Sequence, residues 1–206
     1  MAKDISTSYR LSSAAAQSFD NVTVVDPDHL SSGLGLLTLY AAHLAENGLP
    51  AAEILKELEE MKARISTSFI VPSMASLWKN KKIGDGIYRI CQFFNLHPVL
   101  TMKKGTMKLG GLHGGNMERS YAEYIRRTLR KKKNIDTKIL FITYSGCSAQ
   151  QLKQFREEVE KYQKFERIIL QKTSATISSN CGLGAMGLSF IKTKRAHSVD
   201  WFSQSD

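Results

Sequence analysis

The chain has no apolar run of eighteen residues, so its sequence offers no membrane-spanning helix. It also lacks the apolar segment of a secretory signal, since residues 1–20 are rich in Ser and Ala. Its three cysteines, Cys91, Cys147 and Cys181, are odd in number and far apart, which does not suggest a disulfide framework and fits a reducing cytoplasm. Acidic residues are scarce, 19 against 29 Lys and Arg, for a net charge of +10. That balance keeps a polyanion partner in view. No zinc finger or RNA-recognition module accompanies it, so no specific nucleic-acid partner is expected. Nor is there a metal-ligand spacing: His113, in the glycine-rich segment Gly110 to Gly115, stands alone and reads as a surface histidine in a flexible loop.

What is present is an ordinary globular composition over 206 residues, 42% hydrophobic and 23% charged. An Ala-rich helical turn or two over Leu11 to Phe19 precedes Val22-Thr23-Val24-Val25-Asp26, a β-branched run that reads as a buried strand. Ser31 or Ser32 would cap a helix carrying Leu34, Leu37, Ala41 and Leu44, stopped by Asn47-Gly48. Pro50 opens a second helix, and Ser68 to Val71 reads as a strand. This β-α-α-β order predicts helices on a largely parallel sheet. Ile83, Ile87, Ile90, Cys91 and Phe94 mark a further helix face, and Lys103-Lys104-Gly105 a hairpin turn. A helix from Met117 ends in the basic run Arg126 to Lys133, whose charges also suit a solvated helix end. Ile139 to Tyr144 is a strongly apolar strand followed by a capping box, Ser148 with Gln151, and then by the strand Phe165 to Gln171.

Gly182, Gly184 and Gly187 form a G-x-G-x-x-G pattern between a strand-like run and the final strand, Met186 to Ile191. A dinucleotide fingerprint would need a helix after it and an acid about twenty positions on. Only fifteen residues follow Ile191, so that reading fails and a tight, closely approached turn remains. No catalytic constellation stands out. Cys147 sits in a strand-to-helix turn where a dipole could lower a thiol pKa, without a histidine or acid placed to assist it. Asp26, Asp28 and His29 read as a strand-end acid and a helix cap. Ser6, Thr7, Ser8 and Asn180 offer donors for a carboxylate or phosphate without proton transfer.

The order of these pieces resembles the DegV family of bacterial fatty-acid-binding proteins, the EDD fold. Ile5-Ser6-Thr7-Ser8-Tyr9 is similar to its L-S-G-T-Y, and Ser31 to Leu37 to its S-x-G-x-G-L-L helix start. Leu77 to Ile83 stands where the family has L-x-K-G-G-R-I, Asn95 to Leu100 for N-I-K-P-I-L, and Ile177 to Gly187 for I-G-x-H-x-G-P-G-A-x-G. Asn180 thus replaces the family's histidine, Leu183 its proline and Lys82 its arginine. The resemblance implies an α/β, two-domain fold: residues 1–71 a remnant of the N-terminal domain with a partial parallel sheet, 72–191 a mixed-sheet C-terminal domain with flanking helices, and 192–206 a basic tail. The family's first strands, with a Thr-Ser ligand loop, would precede Met1. It further implies a non-enzymatic carrier with no cofactor or metal, which holds a long-chain fatty acid and presents it to a fatty-acid kinase subunit. Ser6, Ser8 and Asn180 would hold the carboxylate, and Gly182 and Gly184 would form a ligand-facing turn. The alternatives are a scaffold or regulatory remnant without ligand, and a weak polyanion-binding protein using Arg126 to Lys133.

Overall fold

A computed structural model of the chain describes residues 1–79, 84–130 and 134–193. The helices are α1 (Ser8–Ala16), α2 (Ser31–Glu46), α3 (Ala51–Arg64), α4 (Ala75–Lys79), α5 (Asp85–Phe93), α6 (Met117–Leu129), α7 (Ala149–Glu160) and α8 (Ala175–Cys181). The strands are β1 (Ile65–Ile70), β2 (Leu96–Lys103), β3 (Thr106–Gly114), β4 (Ile135–Tyr144), β5 (Arg167–Lys172) and β6 (Met186–Lys192). They make one mixed sheet in the order β3-β2-β1-β6-β4-β5.

Alternation along the interior strands builds a layer on each face of this sheet. On one face Leu140, Ile142, Leu188 and Phe190 meet Tyr121, Tyr124 and Ile125 of α6 and Phe155 and Val159 of α7. On the other, Ile65, Ile139, Phe141 and Ile191 meet Leu36, Leu37 and Tyr40 of α2 and Leu58 and Met61 of α3. The polar residues Thr67, Thr143 and Ser189 interrupt that second apolar surface, beside the start of α2.

Several sequence expectations hold. β2 and β3 form the hairpin, with Lys104 and Gly105 both at positive φ as a two-residue turn of matching twist requires. The capping box forms: Ser148 Oγ accepts from the Gln151 backbone N–H, and Gln151 Oε1 accepts from the Ser148 backbone N–H. Strands β4 and β5 are parallel across the α7 crossover.

Others change. The residues Val22 to Asp26 form no strand, so among the described residues 1–71 the single strand is β1, antiparallel to both β2 and β6. The sheet is therefore mixed rather than largely parallel, and β1, from before the expected boundary at residue 71, lies in its middle. The run preceding the glycines is helix α8, capped by Ser174, instead of a strand. Gly110 to Gly114 extend β3 instead of looping, because Gly110 lets the strand cross the Thr101 side chain, whose Oγ1 lies 2.4 Å from where a Cβ would stand. His113 is accordingly buried opposite His97, and burial lowers its pKa. Neither Ser31 nor Ser32 caps α2; Ser32 Oγ instead pairs with Thr143 Oγ1 at 2.5 Å. Of the face expected over Ile83 to Phe94, Ile83 lies outside the described residues; Cys91 is buried, while Ile90 and Phe94 are exposed. Lys82, Lys131 to Lys133 and residues 194–206 of the expected tail lie outside the described residues, whereas Lys192 closes β6.

Candidate functional site

A cavity of about 390 Å³ opens where the start of α2, the segment before α1, helix α8 and the sheet converge. That volume is in the range of small-molecule sites. One part is apolar, walled by Phe69, Leu77, Met107, Ile177 and Met186. Phe69, Leu77, Met107 and Ile177 extend the clusters that pack α4, α5, α8 and residues 1–5 against β2, and Met186 belongs to the core beneath α6 and α7. The other part is lined by hydroxyls and by the first residues of α2, Leu30 and Ser31. No Asp, Glu, Lys or Arg lines the cavity among the described residues.

Strand register explains the hydroxyl floor. Thr67 of β1 faces Ser189 of β6, and Gly187, one pair along the same face, faces Thr143 of β4. All three hydroxyl residues are buried and line the cavity. Gly187 carries no side chain because a Cβ there would stand 2.9 Å from the Ser68 carbonyl oxygen. At the more exposed rim are Ser6, Thr7, Thr176 and Asn180.

Of the residues singled out in the sequence, Ser6 and Asn180 line the cavity. Ser8 stands behind Ser6: the hydroxyls lie 2.8 Å apart, and the Ser8 N–H donates to Ser6 Oγ at 3.2 Å. Ser8 thus orients Ser6 from outside the wall. Asn180 Nδ2 donates to the Thr176 carbonyl oxygen one turn back in α8, at 2.8 Å. Gly182 and Gly184 are not wall residues, which corrects the expected ligand-facing turn. Both adopt positive φ to reverse the chain after α8. The reversal ties Gly184 into the opposite layer, its N–H donating to the Ser145 carbonyl oxygen and its own carbonyl accepting from Tyr121 Oη. The flanking Asn180, Cys181, Ala185 and Met186 reach the cavity instead.

Chemistry by proton or group transfer has little to work with here. Burial pushes the Cys181 and Cys147 thiols up, away from the reactive thiolate, and Cys147 is not a wall residue. His29 is buried outside the cavity wall; its Nε2 donates to the Lys62 carbonyl oxygen at 3.0 Å, and burial lowers its pKa. Asp26 Oδ1 accepts from the Lys3 and Asp28 N–H groups, a loop-closing role. Among the described residues no three His, Cys, Asp or Glu converge as a metal site, and no helix is long and apolar enough to cross a membrane. The arrangement suits a ligand with a small polar head and an apolar body.

Sequence reasoning missed Thr67, Thr143, Ser189 and the start of α2. The available signal was a hydroxyl inside an otherwise apolar strand, Ser189 between Leu188 and Phe190, which marks a polar spot on a buried face.

Comparison with known proteins agrees with this geometry. The model of the DegV family, one of uncharacterised proteins, matches residues 1–193. A DegV domain-containing protein of Staphylococcus aureus is 23% identical over 196 residues, covering 93% of this chain and 68% of its own. The structure of a fatty-acid-binding DegV family protein from Thermus thermophilus superposes with a TM-score of 0.78 at 28% identity, over 93% of this chain and 69% of that one. The fatty acid kinase B3 protein of Streptococcus pneumoniae, loaded with linoleic acid, superposes at 0.76 with 16% identity, over 93% and 69%.

Proposed function

Since the chain belongs to the DegV family, we propose that it binds a long-chain fatty acid in the cavity beside the start of α2 and presents it to a fatty-acid kinase subunit. The observation that carries this reading is the cavity's two-part wall, hydroxyls at one part and aliphatic, thioether and phenyl groups at the other. Binding relatives of the same fold from Thermus thermophilus and Streptococcus pneumoniae support it. Ser6, steadied by Ser8, and Asn180 are the proposed rim donors to the carboxylate. With no acid-base pair on the wall, the role is that of a carrier and not a catalyst. Three free cysteines, two of them buried, accord with a cytoplasmic setting.

Native mass spectrometry of the purified chain tests the reading. An acyl ligand that copurifies, and whose removal lowers the thermal midpoint, is the expected result. A chain that carries no lipid and gains no thermal protection from palmitate is not a fatty-acid carrier.

One observation favours the second reading, a fold kept without its ligand. The Asn180 amide is engaged by its own helix at Thr176, where the family's histidine could carry a proton or charge. Under that reading Asn180→His leaves palmitate affinity unchanged; a clear gain in affinity argues against it.

A further inference from the structure

Ser6 and Asn180 at the rim are partly exposed, whereas the hydroxyl floor of the cavity is buried. Strand β6 is buried along Met186 to Ile191, and Ser189 brings the one hydroxyl into that run. Ser189 is 3% exposed, lines the cavity, and has no hydrogen-bond partner among the described residues. What access it keeps is toward the cavity. Thr67, which faces it across β1, differs in this respect, because its Oγ1 is sealed against Gly33.

A second hydroxyl stands close to Ser189. Thr143 Oγ1 and Ser32 Oγ share one hydrogen bond, which uses only one of their two protons. Ser32 is not a wall residue, so with Ser32 as donor Thr143 keeps its own proton for the cavity. Thr143 faces Gly187, two residues before Ser189 on the same face of β6, and the two hydroxyl residues are therefore diagonal neighbours on adjacent strands. Gly187 fills the corner between them with bare backbone, since a Cβ there would meet the Ser68 carbonyl oxygen and Phe69 Cβ. The result is a niche with two hydroxyls and no side chain at its base.

An unsubstituted acyl chain laid over this niche would take water from both hydroxyls and return no hydrogen bond, which is unfavourable. A hydroxyl on the chain both donates and accepts, so it can serve Thr143 and Ser189 together. We infer that the niche of Thr143, Gly187 and Ser189 receives a hydroxyl carried on the acyl chain, and that the preferred ligand is a hydroxy fatty acid. The inference rests on the fatty-acid reading and narrows it to oxygenated acids. Ser189 is then a specificity residue, separate from the rim donors.

The delipidated full chain is titrated with palmitate and with its 3-, 10- and 16-hydroxy derivatives, as wild type and as Ser189→Ala. The hydroxy acid whose oxygen reaches the niche should bind wild type roughly three- to thirty-fold more tightly than palmitate, the worth of one or two hydrogen bonds. Ser189→Ala should lose that preference and bind palmitate at least as well as wild type, because an unpartnered hydroxyl has gone. Equal affinity of wild type for palmitate and all three hydroxy acids overturns the niche and leaves the carrier reading standing, as does a preference that survives Ser189→Ala. A wild-type chain that binds none of the four overturns both. The ligand-free variant should melt no lower than wild type; a clear fall would show Ser189 bonded within the protein and would also overturn the niche. The wild-type comparison is decisive even without the variant.

Discussion

At the scale of single residues, Tyr124 shows how closely the two layers are joined. Its phenol, 1% exposed, donates to the Ser68 carbonyl oxygen at 2.8 Å and accepts from the Leu188 N–H at 3.1 Å. Ser68 and Leu188 face one another across β1 and β6, so a side chain of α6 serves both strands at the middle of the sheet. Tyr124→Phe keeps the ring and removes the hydroxyl from those two backbone groups and from Ser68 Oγ, which lies 2.8 Å from it. Chemical denaturation should show a loss of about 2–4 kcal/mol, one to two unmet buried groups. A loss under 0.5 kcal/mol would mean the strands satisfy each other without it. Residues of this kind are poorly legible in a sequence. Ser6 and Asn180 were found because they sit in recognisable motifs. Thr67 was not, because Ile65 to Ile70 reads as any β-branched strand, and what sets Thr67 apart is a missing partner that appears only when α2 packs over it.

Among the elements, those written in local chemistry were the legible ones. The hairpin turn, the α7 capping box and the Asn47-Gly48 stop each depend on a few adjacent residues, and each formed. Helix α8 was misread because seven residues are too few to show a helical period, and its Ser174 cap lies before the stretch that drew attention. Helix α6 carries a prediction of its own. Glu123 accepts from Arg126 at 2.6 and 2.8 Å and from Arg127 at 2.8 Å. Those guanidinium hydrogen bonds lower its pKa from 4.5 to about 2. The folded-state value lies below the unfolded one, so the contribution is complete above about pH 4.5 and is lost as the pH falls toward 2. With the Glu123 side chain 27% exposed and both arginines more so, solvent holds it to about 1 kcal/mol or less. Comparing Glu123→Gln with wild type, the stability gap should be widest near neutral pH and close by pH 2; a gap that stays constant with pH would show that the pairs contribute nothing. The same pairs occupy two cations of the basic run, whose polyanion role the sequence left open.

For the whole molecule, the α/β class was legible from alternating apolar strands and amphipathic helices, whereas the strand order was not. Periodicity says which face a residue takes and is silent on which strand lies beside which. β1 is flanked by β2 and by β6, the latter more than a hundred residues away in the chain. With β1 shared between the front of the chain and everything after it, residues 1–71 should not melt apart from the rest. Urea unfolding followed by tryptophan fluorescence and by far-ultraviolet circular dichroism should give coincident transitions. Separate midpoints would restore an independent unit before residue 72.

The position of β6 also has a consequence for synthesis. As the chain leaves the ribosome, β1 and β4 emerge well before the strand that must lie between them, and each waits with one row of N–H and C=O groups unpaired. The last strand among the described residues completes the middle of the sheet, so a ribosome that stalls before residue 186 would hold a chain with β1 and β4 both open, a form prone to pair with its neighbours on a polysome.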